Sequence, residues 1–311
     1  NSQFNLNENE IDKLLSKSRI KYLEKNKVNI KGSLLHNFSL RIDENFKLID
    51  YDYKSEGNIS ESQITLENDF KSNFIDKPIK EFSIIQTNLA INYNNKNNNI
   101  LILDGLYNFG ESENKKFKIS YDKNKKNPKY LIDIDLSQNI FLKFINFKSN
   151  YKNASNIKSE INFKNNNIIF NYIKFTEDKN LIVINDLKIN EKKELSSFST
   201  LEVQTFNDNE KNNNFKIFFG KKISLVGTKF DTTHLLKQLS NDKRSNLLIN
   251  LTKNIEIKLD HLITKSKIQL KDFNLIGRIN KGKFEKLSAK SEFSKTEYLY
   301  FYLKKDENGK K

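Results

Sequence analysis

The chain has no cysteine, no methionine and no tryptophan in 311 residues, and only three histidines, two prolines and nine glycines. Without Cys there is no disulfide framework, no thiolate nucleophile and no Cys-ligated zinc or iron–sulfur site. His36, His234 and His261 stand apart, none in a His-Glu-x-x-His or carboxylate-flanked spacing, so metal and triad chemistry lack their usual ligands and bases. No Gly-rich run leads into a helix: Gly105, Gly110, Gly220, Gly227, Gly277 and Gly282 are isolated and read as bulge and turn glycines. No apolar stretch reaches the 18 residues a membrane-spanning helix needs. The absence of Met, position 1 included, gives the expectation of a piece of a longer protein whose leader or anchor lies upstream.

The formal charge is +15, which would ordinarily suggest nucleic acid or an anionic membrane as partner. The basic residues, however, are 50 Lys against four Arg, in a chain that also has 47 Asn and only three Ala. Lys and Asn have A/T-rich codons and Arg and Ala G/C-rich ones, so codon composition accounts for the Lys excess. Dedicated nucleic-acid readers keep Arg for bidentate contacts. The expectation is weak, unselective nucleic-acid binding and no specific nucleic-acid partner.

What is present is alternation. Leu89, Ile91 and Tyr93 alternate with polar or small residues, as do Leu101, Leu103, Gly105, Tyr107 and Phe109, and then Phe117, Ile119 and Tyr121. Such period-2 runs, separated by turns of Asn, Lys, Asp and Gly, continue to the end of the chain and predict roughly sixteen strands. The fold class expected is all-β, a long curved antiparallel sheet forming an elongated groove, with one or two short helices. Helix is expected over 7–25, where Ile11, Leu14, Leu15 and Tyr22 share a stripe, and over 231–240, where Asp231 can cap and Leu235, Leu236 and Leu239 share a face. Residues 54–80 read as a loop or short irregular strand, and 139–148 as a strand. The expected division is an N-terminal helix and strand pair over 1–78 and an extended β-groove over 79–311.

Carboxylates on one strand face, such as Asp133 and Asp135, are a spacing that Ca²⁺ sites and glycosidases use, but Lys and Asn on neighbouring strands favour a solvated face. The 24 Phe and 12 Tyr show no base-stacking cluster on one strand, so packing is their expected use. No catalytic residue, no metal site and no cofactor are assigned.

Residues 223–303 carry a resemblance. The step Ser224-Leu-Val-Gly227-Thr-Lys-Phe-Asp231-Thr-Thr-His234-Leu-Leu236, then Ile255-Glu-Ile257-Lys-Leu259-Asp-His-Leu262, then Leu275-Ile-Gly277-Arg-Ile279-Asn-Lys-Gly282-Lys-Phe284-Glu-Lys-Leu287, is similar to the AsmA-like family (YhdP/TamB type) of bridge-like lipid transfer proteins. His234 stands where that family often has Pro. The resemblance implies a non-enzymatic segment of a periplasmic, inner-membrane-anchored protein. Its anchor would be an upstream helix, and its β-groove would carry phospholipid between the inner and outer membranes of a Gram-negative bacterium. An oily strip without reactive groups is what an acyl chain needs, at about 0.8 kcal/mol per CH₂ removed from water. On the alternation, Phe117, Ile119, Ile132, Ile134, Phe215, Ile217, Ile257 and Leu259 are the candidate groove residues, with phospholipid acyl chains as the partner. The alternative is a structural or adhesive extracellular β-solenoid or sandwich without lipid cargo, although no repeat of 20 to 50 residues is visible.

Overall fold

The computed structural model describes residues 1–7, 26–95, 99–110, 112–123, 128–150, 152–192, 194–207, 209–234, 251–266, 268–281, 283–294 and 296–304. Within them the chain is nearly all β. The strands are β1 (Ser2–Asn7), β2 (Lys27–Ile42), β3 (Leu48–Phe70), β4 (Ile79–Asn94), β5 (Asn99–Asn108), β6 (Lys115–Lys123) and β7 (Lys129–Asp135). There follow β8 (Phe141–Leu142), β9 (Phe147–Lys148), β10 (Ser155–Lys164), β11 (Asn167–Glu177), β12 (Asn180–Ile189), β13 (Leu195–Ser197) and β14 (Thr200–Asn207). The last are β15 (Glu210–Phe219), β16 (Lys222–Asp231), β17 (Lys253–Ile263), β18 (Gln269–Asn280), β19 (Lys283–Glu292) and β20 (Tyr298–Lys304). A single 3₁₀ turn, Lys143–Ile145, is the one helical element among the described residues.

Two compact units divide the chain: Asn1–Ile140 with Asn150–Phe163, and Phe141–Ser149 with Lys164–Lys311. In the first, each strand from β1 to β7 pairs antiparallel with the next, and β10 returns beside β7. In the second, β11, β12, β14, β15 and β16 follow one another antiparallel, as do β17 to β20, while short β13 flanks β12 and β8 pairs with β9.

β16 and β17 are parallel. Parallel neighbours cannot be joined by a hairpin, and most of the connection between Asp231 and Lys253 lies outside the described residues. This is where the sequence pattern suggested a helix. Asp231 instead ends β16, Thr233 and His234 form a turn, and 235–240 lie outside the described residues. The helix expected over 7–25 lies outside them too, apart from Asn7, which ends β1. The boundary expected near 78 falls inside the first unit, between the paired strands β3 and β4.

Residues 54–70, expected within a loop or short irregular strand over 54–80, belong to the 23-residue strand β3. Two of its oily-face positions are small: Ser55 lies opposite Ile91 and Gly57 lies between Leu34 and Leu89. Bulky neighbours fill the space above them, so the strand carries little apolar alternation of its own. A Cβ on Gly57 would lie 2.0 Å from the Ser33 carbonyl oxygen and 2.9 Å from Leu34 Cδ2.

Bulges preserve the faces. At Gln86, with φ of 46°, the pairing shifts between Ile85 and Asn88, so Ile84 before the bulge and Leu89 after it point the same way although their numbers differ in parity. An extra residue, Ser60, does the same in β3 between Ile59 and Ser62. Without these insertions half of each strand would present its apolar set to the wrong side.

Gly57→Val is therefore expected to destabilise the protein by about 1–3 kcal/mol, the range for overpacking. A urea titration checks it: the midpoint falls at unchanged slope, whereas an unmoved midpoint would mean that β2 and β3 are not in this register.

Candidate functional site

The register aligns apolar side chains into rows that cross the strands. In the first unit Leu34, Gly57, Leu89, Leu103, Ile119 and Ile132 are successive cross-strand partners from β2 to β7. A neighbouring row places Gly105, Phe117, Ile134 and Ile157 side by side on β5, β6, β7 and β10. Phe117, Ile119, Ile132 and Ile134, picked out by alternation, are thus one two-by-two patch.

In the second unit one row runs through nine strands: Ile173, Ile184, Leu201, Ile217, Leu225, Ile257, Leu275, Ala289 and Phe301. The next holds Phe175, Ile182, Val203, Phe215, Gly227, Leu259 and Phe273. Phe215 and Ile217 on β15 are separated from Leu259 and Ile257 on β17 by Gly227 and Leu225, so these four also share a face. Phe117, Phe215 and Leu259 are buried, while Ile119, Ile132, Ile134, Ile217 and Ile257 are half-buried. Leu103, Val203 and Leu225 belong to the same rows and carry the same alternation, so the signal for them was present in the sequence.

The reverse faces carry ion pairs, interspersed with exposed apolar side chains such as Leu131, Phe218, Val226 and Ile276. Asn58, Asn88, Asp104, Lys118, Asp133 and Lys158 are successive partners in the first unit, with Lys118–Asp104 and Lys158–Asp133 ion pairs each at 2.9 Å. In the second, Lys216 meets Glu202 at 3.0 Å, and Glu256 lies between Lys222 and Lys258. Hydrogen bonds from those two lysines hold the Glu256 carboxyl at about 2. Burial pushes Asp133 upward, but the Asn156 amide and the charges of Lys158 and Lys118 outweigh it and keep it below the usual carboxylate range. Exposed pairs of this kind stabilise by at most about 1 kcal/mol each. Their effect is on register, since a one-residue slip would turn Lys118 toward Leu103 or Gly105 and Lys216 toward Leu201 or Val203, setting charges in the apolar rows.

Asn156 Nδ2 donates to Asp133 at 2.7 Å and to Asp135 at 2.9 Å, so a neutral amide bridges the two carboxylates. His36 contacts Ser2, Tyr53 and Ser55, and His234 lies against the Phe141 ring. Among the described residues no three His, Cys, Asp or Glu side chains gather as a metal site would require, and no helix is long and apolar enough to cross a membrane.

One polar cluster interrupts the oily face of the second unit. Residues 139–148, expected as one strand, hold β8, the 3₁₀ turn and β9, bent at Asn146 with φ of 48°. This stretch lays Ile145, 0% exposed, and Phe147, 1% exposed, against the sheet, with Phe147 edge-on to Phe175 at 5.7 Å. Asn213 Nδ2 donates to the Ile145 carbonyl at 2.6 Å and to Thr205 Oγ1 at 2.8 Å. Asn207 and Asn212 both donate to the Asn146 carbonyl at 3.1 Å. Asn146 Nδ2 reaches Asp231 Oδ2 at 2.8 Å, and the Asp231 N–H donates to Asn213 Oδ1 at 2.9 Å. Asparagine suits this task because one side chain both donates and accepts, so a bent, buried backbone has its carbonyls satisfied.

Compared with known proteins, the chain matches no family model, no curated protein and no solved structure.

Asn213 is fully buried and makes three of these bonds. Asn213→Leu, which keeps the branched shape, leaves the Ile145 carbonyl and the Asp231 N–H without that partner, each worth about 1–3 kcal/mol when buried. The expected loss is about 2 kcal/mol or more in urea unfolding, whereas a change under about 0.5 kcal/mol, the range of neutral surface substitutions, would contradict the network.

Proposed function

We propose that the apolar faces of both units hold phospholipid acyl chains, and that the chain is a non-enzymatic segment of a lipid transfer protein of the bridge type. On this reading it works in the periplasm, tied to the inner membrane, and passes phospholipid toward the outer membrane. The observation that carries the reading is the nine-residue row from Ile173 to Phe301, in which every cross-strand position is apolar. An acyl chain lying along such a row meets methyl and phenyl groups at each strand and no donor or acceptor that would stop it.

The chemistry supports cargo rather than catalysis. Burying a 16-carbon tail would be worth on the order of 10 kcal/mol at about 0.8 kcal/mol per CH₂. Affinity spread evenly along a row, with no polar anchor, lets a chain shift from one strand to the next without crossing a large barrier. The ionic reverse faces keep the other side of each sheet wet. The resemblance of residues 223–303 to AsmA-like proteins points the same way, and its Gly227, Ile257, Leu259 and Gly277 all stand on the apolar face.

A carboxylate placed in a row would have no partner among hydrocarbon and would cost a passing chain several kcal/mol. Ile134→Asp and Ile257→Asp, both at half-buried positions, are expected to keep the β circular-dichroism spectrum and to lose co-purifying phospholipid in native mass spectrometry. Full retention of lipid by both variants, or no lipid on the unmodified protein, would refute the assignment and favour an extracellular structural role.

A further inference from the structure

Two apolar rows stand side by side on the oily face of the second unit, and they differ in exposure. Ile173, Leu201 and Ile217, on β11, β14 and β15, are half-buried, whereas Phe175, Val203 and Phe215, two residues along the same strands, are between 1% and 6% exposed. Adjacent positions on one face of a sheet meet the same solvent unless something lies over one of them. Over these strands the second row is covered and the first is not.

The stretch Phe141–Ser149 supplies cover. Its β9 lies against β14, and Phe147 packs on Phe175. Its backbone is held by Asn207 at the end of β14 and by Asn212 and Asn213 on β15, and its Asn146 reaches Asp231 at the end of β16. From Phe175 on β11 to Asp231 on β16 the stretch therefore crosses the strands, which is the direction of the rows and the direction an acyl chain would take.

What lies beyond the second row suits a peptide and not a lipid tail. Glu177 and Asn180 are cross-strand partners there, as are Thr205 and Asn213, and all four are buried. A hydrocarbon tail has no group to offer such side chains, whereas a backbone offers carbonyls, and the Ile145 and Asn146 carbonyls take three amide donors between them. Lifting the stretch would strip both carbonyls of those donors at once, so it is a fixed strap and not a lid that opens with each cargo.

We propose that the strap is a wall of the lipid site, which takes the Phe175–Phe215 row out of the cargo surface and confines acyl chains to the row from Ile173 to Phe301 beside it. The inference rests on the cargo reading and names the row that carries lipid. Ile145 and Phe147 occupy the place a second chain would need, so a tail on the open row cannot drift along the strands in that direction and is left to move across them. Of the residues picked out by alternation, Ile217 and Ile257 then touch lipid, and Phe215 is core.

A phospholipid with a diazirine on its acyl chain, bound to the unmodified protein and photolysed, should leave adducts on Leu201 and Ile217 and none on Val203 or Phe215 in peptide mass spectrometry. The absence of cysteine makes single thiols clean reporters of the strap itself. In delipidated protein Val203→Cys should react with maleimide roughly tenfold or more slowly than Leu201→Cys. Ile145→Asp with Phe147→Asp sets two carboxylates against hydrocarbon and expels the strap. With the β circular-dichroism spectrum kept, the thiol at 203 should then react as fast as the one at 201, and adducts should spread to Phe215. Adducts on both rows of the unmodified protein, or a thiol at 203 still shielded after both Asp substitutions, would overturn the inference and leave the cargo reading standing. No adduct on either row would refute the cargo reading and the row assignment with it.

Discussion

Cross-strand register is the constraint on which this structure depends. A strand has two faces and a period of two, so the difference between an oily surface and a mixed one is a single residue of slip. The protein pins its register from three directions. Ion pairs such as Lys118–Asp104 and Lys158–Asp133 tie the wet face, glycines such as Gly57 and Gly227 admit close approach on the oily face, and bulges at Gln86 and Ser60 reset the count where alternation would drift. No single ion pair contributes much stability, but all of them are satisfied only in one register.

That constraint leads directly to the functional reading. Once the rows are aligned, hydrocarbon continues from β2 to β7 in the first unit, where Ser159 of β10 ends the row beside Ile132, and through nine strands in the second. The interruption in the second unit is built rather than incidental. There the Ile145–Phe147 stretch covers the Phe175 end of one row, and a cluster of asparagines supplies donors to the Ile145 and Asn146 carbonyls. Buried amide networks specify a unique arrangement when every group in them is satisfied. Here the arrangement specified is a cover over the Phe175 end of one row.

Much of this was legible in the residues. The strands over 100–109, 115–121 and 129–136 and the grouping of Phe117, Ile119, Ile132 and Ile134 follow from alternation alone, because each of those strands carries its own bulky apolar set. β3 was hidden since Ser55 and Gly57 let neighbours supply the bulk. The run Asn212-Asn213-Asn214 reads as a turn by composition, yet lies in β15, because its side chains bind a distant backbone that sequence spacing does not reveal. The parallel pairing of β16 with β17 was equally hidden, since strand direction leaves no mark on alternation.

The central claim, that one face of each sheet is a lipid surface and the other is not, can be tested residue by residue. A photo-crosslinking amino acid placed in turn at Ile119 and Ile217, on the oily faces, and at Lys118 and Lys216, on the ionic ones, should give phospholipid adducts at the first pair alone. Equal labelling of both faces, or adducts at the lysine positions only, would contradict the account.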